Sequence, residues 1–298
     1  MSLFSSTVKM LWTLLLLSLI DFTGGTYLND NGTAICNNTA NSTLKGNTTQ
    51  SSSYSDGKIT LYSDRAIDGN MTTCAHTSEM VNSWWRIDLL GVYNISCIAI
   101  YNKNHGNANI KGSQIFIGNS REIPPLMSTD TNTHVKITKF TMGSYNCFNF
   151  NGEAVGRYVT VLTPGSHFTV LCDVKIWGSL KESPFVLINQ SKTWEEALHY
   201  CRDNDMDLAS ILDEKDQVWA ELEAKKANSP HVWLGLRYTC TLDFWFWIED
   251  HDLNYNCFKG EKVNECGMSV AMDVKGEHFW SSKPDTEKFN FICTKKEN

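Results

Sequence analysis

The sequence predicts two folded units in tandem, an antiparallel all-β sandwich or barrel followed by an α+β domain, and three features carry that prediction. The chain has 298 residues, a length that admits one large domain or two of ordinary size. Between about Lys58 and Gly178, short runs rich in β-branched and aromatic residues are separated by Gly, Asn and Pro turns, and no helical period survives. After Gly178 a helix-capping pattern enters, followed by apolar residues spaced along one helix face.

The elements follow in order. Lys9, the mostly apolar Met10 to Ile20 and the small-residue break Asp21-Phe-Thr-Gly-Gly25 read as a signal peptide spanning 1–25. Residues 26–55 are almost entirely Asn, Thr, Ser and Gly, with too little apolar surface to offset ordering entropy, and read as a low-complexity tail. Asn-x-Ser/Thr sequons stand at Asn31, Asn37, Asn41, Asn47, Asn70, Asn94 and Asn189, so this tail is expected to be glycosylated. The strand-like runs are Trp84 to Leu89, Ile95 to Tyr101, Gln114 to Ile117, Val135 to Thr138, Arg157 to Leu162 and Val170 to Ile176. They place a first domain over 56–178. A second, over 183–298, opens with the capping box Thr193-Trp-Glu-Glu196, and Trp194, Ala197, Leu198 and Cys201 share a helix face. A second helix starts behind Asp213, with Asp216 in its first turn and Val218 and Leu222 facing inward. Asn228-Ser-Pro230 stops it before the strand-like Val232-Trp-Leu-Gly-Leu236.

Composition excludes several functions. With 26 Lys plus Arg against 33 Asp plus Glu, the net charge is -7, so no broad basic field exists to hold nucleic acid. No segment after the leader approaches the roughly 20 apolar residues of a membrane span, so a soluble, secreted, extracellular product is expected. Ten cysteines without a CxxC pair fit disulfides in an oxidising compartment better than zinc. GxSxG and HExxH are absent, no Cys stands beside a basic His, and the paired Glu195 and Glu196 lie on a helix face. The chain is therefore expected not to be an enzyme.

The residues Ala66-Ile-Asp-Gly-Asn70, Cys74-Ala-His76, Trp84-Trp-Arg-Ile-Asp-Leu-Leu90, Gly156-Arg-Tyr-Val159 and Leu171-Cys-Asp173 resemble, in order and spacing, the F-type lectin (fucolectin) domain. The resemblance implies a jelly-roll β-sandwich with a bound calcium and a shallow sugar site. It places calcium ligands on the carboxylates of Asp68 and Asp173, the hydroxyl of Thr73 and the carbonyls of Arg65, Asn70 and Cys172, an all-oxygen set suited to a hard cation. It also implies a Cys74–Cys172 bridge between the two ligand segments. Family members grip fucose with a His and two Arg acting as cationic donors. His76 takes the place of the His and Lys103 that of the first Arg, which loses the planar fork. The second Arg falls on Asn109 or Ile110, and Lys111 is the nearest replacement if the loop shifts.

From Phe185 to Cys293, the residues Trp194 to Cys201, Leu208-Ala-Ser-Ile211, Val232 to Leu236, Trp247, Cys266, Trp280 and Phe289-Asn-Phe-Ile-Cys293 resemble a C-type lectin-like domain. That resemblance implies a Cys201–Cys293 bridge, worth about 4–5 kcal/mol in the chain-entropy account. The family's calcium and sugar tripeptides are absent: the loop reads Phe258-Lys-Gly-Glu-Lys-Val-Asn-Glu-Cys266 and the late motif Trp280-Ser-Ser282. Cys240 and Cys257 compete for Cys266, and the partners of Cys36, Cys97 and Cys147 stay open. Five cysteines on each side of residue 180 raise a link between domains or chains. Together the resemblances imply a secreted, calcium-dependent lectin for fucosylated or related glycans, of innate-immune type, whose C-type lectin-like domain contacts a protein partner. The alternative is a secreted protein-interaction molecule with two lectin-like folds and no sugar binding.

Overall fold

The computed structural model describes residues 36, 43–106, 108–123, 133–249, 251 and 253–295; the signal-peptide reading lies outside them. The first domain is an all-β jelly-roll sandwich built on two long strands, β3 (Met80–Tyr101) and β6 (Tyr145–His167). They pair antiparallel from Met80↔His167 to Tyr101↔Tyr145. Around this ribbon lie β1 (Asn47–Gln50), β4 (Gln114–Gly118) and β5 (Thr133–Lys136) in the order β1-β3-β6-β4-β5, while β8 (Asp173–Leu180) pairs with the second half of β3. A small sheet of β2 (Ala75–His76) and β7 (Val170–Leu171) closes one end.

The runs Trp84 to Leu89 and Ile95 to Tyr101, read as separate strands, are two halves of β3. Its register shifts between Asp88 and Tyr93, and Leu90 there takes a left-handed φ of 61°. The bend folds the ribbon over, so Trp85, Ile87 and Leu89 from one half and Ile95, Ile98 and Ile100 from the other fill one core. The tail reading of 26–55 needs correction at its end, because Asn47–Gln50 pairs with Asp88 to Trp85 as an edge strand. Leu44 packs on the core. An edge strand is held by ladder hydrogen bonds and needs few apolar side chains of its own, so composition does not reveal it.

The second domain is α+β. Helix α1 (Trp194–Asp203) carries the predicted capping box: Thr193 Oγ1 accepts from Glu196 N–H at 3.3 Å, and Glu196 accepts from Thr193 N–H at 3.0 Å. Helix α2 (Glu214–Ala224) is capped by Asp213, which accepts from Asp216 N–H at 2.8 Å. The helices lie against a sheet of β10 (Met206–Leu208), β15 (Phe289–Lys295), β11 (His231–Thr239), β13 (Met268–Asp273) and β14 (Trp280–Pro284). Here β9 (Phe185–Lys192) adds to β15 and β12 (Phe244–Trp247) to β11.

Two apolar side chains at the β3–β6 bend, Val92 and Val155, pack into the core of the second domain. Beside them Arg157, a β6 residue, makes a two-pronged contact with Asp88, both N–H···O distances 2.7 Å, and approaches Glu221 of α2 at 3.6 Å. Arg121 donates to Glu221 at 2.7 Å and to Glu277 at 2.9 Å. The Glu221 side chain is only 4% exposed, so its charge depends on these two guanidiniums.

The Cys74–Cys172 and Cys201–Cys293 bridges form, and Cys240 takes Cys266. The remaining bridge is Cys36–Cys97. These pairs lie within the two halves, and the link between domains suggested by cysteine parity is not made: Cys147 lies beside Cys36 and Cys97, while Cys257 packs on the second core. Non-reducing peptide mapping should recover these four pairs; a Cys257–Cys266 peptide would contradict the loop path. Glu221→Ala should lower unfolding free energy by about 1–3 kcal/mol, since it removes a buried carboxylate shared by Arg157 and Arg121, which keep Asp88 and Glu277 as partners. Urea titration of the full chain followed by tryptophan fluorescence measures it, and a loss below about 1 kcal/mol would mean that water screens the network.

Candidate functional site

The site is assembled from three segments that are far apart in sequence. The first runs from the 3-10 helix Ser63–Ala66 through the turn at Gly69, whose φ of 77° suits glycine, to Cys74. Within it Asp68 accepts from Asn70 N–H at 2.8 Å and from Thr73 Oγ1–H at 2.6 Å. Thr73 Oγ1 also lies 2.8 Å from the Asn70 carbonyl. The second is β7 and the start of β8, joined to the first by the Cys74–Cys172 bridge and by Ala75↔Leu171 and His76↔Val170 pairing.

The third segment is the loop after β3, and the fully buried Asn102 fastens it. Its Nδ2 donates to the carbonyls of Ala108 and Val170, each at 2.7 Å, and its Oδ1 accepts from Cys172 N–H at 3.0 Å. One side chain thus ties the loop carrying Lys103 and His105 to the bridged segment. Sequence reasoning passed over Asn102, because an Asn after a strand reads as a turn residue.

The three segments enclose a cleft of about 240 Å³ whose lining includes Arg65, Thr72, Thr73, His76, Lys103 and His105. Of the residues expected at the sugar site, His76 and Lys103 are in it. Lys111 does not line it: its N–H closes a local turn on Asn109 Oδ1 at 3.0 Å. Arg65, expected only to lend a carbonyl to a metal, lines the cleft itself.

The His76 ring lies between Tyr54 and Phe168, with centroids at 5.1 and 4.9 Å. Its Nδ1 is 2.6 Å from the Thr77 carbonyl, which can only accept, so Nδ1 carries a proton. Burial lowers the ring's pKa, against the Thr77 bond that raises it, and Lys103 lowers it further. Near neutral pH the other nitrogen, Nε2, is therefore an acceptor rather than the cationic donor expected from the sequence.

The expected calcium ligands are brought together only in part. Asp68, Asn70 and Thr73 converge as hard oxygen donors on one turn, and Cys172 is bridged to its end. The buried Asp173 carboxylate accepts from Tyr145 Oη–H and lies 3.6 Å from Lys175 Nζ, an ammonium over the Tyr145 ring. Its negative charge already has a cation, which the spacing of Lys175 two residues later on one strand face explains.

In the second domain, Asn264 of the loop before Cys266 is engaged: its Oδ1 accepts from Trp245 Nε1–H at 2.8 Å. Along β12, Trp245 and Trp247 are buried while Phe244 is exposed.

Asn102→Ala should cost about 2–4 kcal/mol, because it deletes three bonds and takes a donor from the Ala108 and Val170 carbonyls, while Cys172 N–H keeps the Tyr101 carbonyl at 3.2 Å. Thermal unfolding would measure the loss, and an unchanged midpoint would show that the loop stands without it.

Residues 65–161 match the NedA-like, galactose-binding domain family, and residues 190–295 match the lectin C-type domain family. Among curated proteins, the chain is 35% identical over 144 residues to fucolectin-5 of Anguilla japonica, covering 46% of this chain and 75% of the relative. It is 33% identical over 144 residues to fucolectin-1 of the same organism, covering 46% and 79%. Among solved structures it is similar to a fucolectin from Morone saxatilis serum, at 31% identity and a TM-score of 0.40, covering 53% of this chain and 56% of that one. From this identity and coverage, the chain belongs to the fucolectin family of F-type lectins and carries a C-type lectin domain behind its fucolectin domain.

Proposed function

We propose that the cleft between the Asp68 turn and the Lys103 loop binds a fucose-type glycan, and that the chain is a secreted, non-enzymatic lectin of innate recognition. The observation that carries this reading is the convergence of His76 and Lys103 on one cleft at the end of the sandwich. His76 Nε2 accepts a sugar hydroxyl, Lys103 donates to a sugar oxygen, and Leu61 and Val170 supply apolar surface for a methyl group.

Calcium is the proposed cofactor. Asp68, Thr73 and the carbonyls of Arg65, Asn70 and Cys172 would hold it, and its charge would stiffen the turn that presents Arg65 and Cys74. The Asp173 carboxylate holds Tyr145 and Lys175 through Oδ2, so Oδ1 is the oxygen with which it would join. The second domain is proposed to contact protein, since it lacks the family's calcium and sugar tripeptides and Asn264 of its long loop already holds Trp245.

His76→Ala should weaken binding of a fucosylated oligosaccharide about tenfold, the worth of one good hydrogen bond, on a glycan array and by calorimetry. No glycan signal from the unmodified protein would favour the interaction-only alternative. Binding should be full above the ordinary imidazole range and fall as acid protonates Nε2, because His76's pKa is lowered; affinity that rises on acidification would reverse the assigned role. Calcium at about 100 times its Kd should stabilise the fold by about 2.7 kcal/mol, and Asp68→Ala should remove the gain. A melting temperature indifferent to calcium and to EDTA would sink the calcium assignment.

A further inference from the structure

The hydrogen-bonding inventory of the cleft is lopsided. Arg65 and Lys103 are donors without lone pairs, and the lining contains no carboxylate or carboxamide. Among the described residues, neither Arg65 nor Lys103 forms a salt bridge, although the chain as a whole has a net charge of -7. The nearest carboxylate on the same turn, Asp68, is engaged by Thr73 and by the N–H of Asn70. Neutral sugar hydroxyls donate as well as accept, and this cleft offers them few side-chain acceptors: His76 Nε2, a ring nitrogen of His105 and the hydroxyls of Thr72 and Thr73.

An acceptor-only group meets these donors without waste. The two cations come from segments with a fixed relation, Arg65 from the turn anchored by Cys74–Cys172 and Lys103 from the loop anchored by Asn102. A planar guanidinium and an ammonium at one small cleft suit the oxygens of a sulfate ester or a sugar carboxylate. Lys111, the cation expected from sequence, lies outside, so the cleft's second fixed charge is Arg65.

We propose that Arg65 and Lys103 make this cleft selective for glycans bearing an anionic substituent, a sulfate ester or a carboxylate, over their neutral counterparts. The inference rests on the reading of the cleft as the glycan site, and goes beyond it by naming the ligand's charge.

The test uses the full-length protein and one fucosylated oligosaccharide in neutral, sulfated and sialylated forms, compared by calorimetry at low and high salt. At least one acidic form should bind about tenfold tighter than the neutral form, a preference of about 1.4 kcal/mol. That preference should shrink at high salt and vanish in Arg65→Gln and in Lys103→Gln. Lys111→Gln, outside the cleft, should keep it. Thermal melts of each variant separate lost charge from lost fold, and if Arg65→Gln fails to fold, Lys103→Gln carries the comparison. The sulfated and sialylated arms identify which anion is used. Equal or tighter binding of the neutral form overturns the charge selectivity and leaves the glycan site standing, whereas no binding of any form overturns the glycan reading itself.

Discussion

The cleft depends on one buried carboxamide. Asn102 is held on both sides of its amide: two donated bonds grip Ala108 and Val170, and one accepted bond holds Cys172. A buried amide with its groups satisfied is rigid, because any displacement exposes several polar atoms to an apolar surrounding at once. Loop and bridged segment therefore move together, and the Cys74–Cys172 bond extends that constraint to the turn holding Asp68 and Arg65. Lining groups from three segments become one surface: Arg65 from the 3-10 helix, His76 from β2 and Lys103 from the loop after β3.

A second constraint acts at the other end of the sandwich. The bend of β3 and β6 presents Val92 and Val155 to the second domain, and Arg157 and Arg121 meet the buried Glu221 there. Desolvating a carboxylate is costly, and only close opposite charges offset it, so the domains approach where these three side chains align. Arg86 supports the arrangement by donating to the backbone carbonyls of Arg121 and Glu122. Arg157 and Arg86 also flank the ring of Tyr158, each 5.0 Å from its centroid.

Much of the fold was legible in local pattern. Thr193 and Glu196 announced the first helix through a reciprocal cap, Asp213 announced the second, and short β-branched and aromatic runs between turns marked the strands. The tail boundary was misplaced because Asn47–Gln50 is held by backbone bonds to β3. His76 and Lys103, named from motif spacing, both line the cleft. Arg65 lines it without having been named for it, because a residue valued for its carbonyl gives no hint of where it sits. Lys111 stands outside the cleft, on the loop that Asn102 ties down through the Ala108 carbonyl, an anchor no spacing reveals.

The sequence by itself determined the two-domain architecture, the helix caps, the main strand-forming runs of the sandwich and the chemical types available at its rim, since each rests on residues near one another along the chain. Tertiary structure alone decided which charges share the cleft, which nitrogen of His76 is left for a ligand, and that Asp173 faces Tyr145 and Lys175. Hydrogen-bond direction and the pairing of buried charge depend on distances between segments tens of residues apart, and those distances exist only once the sheets have closed.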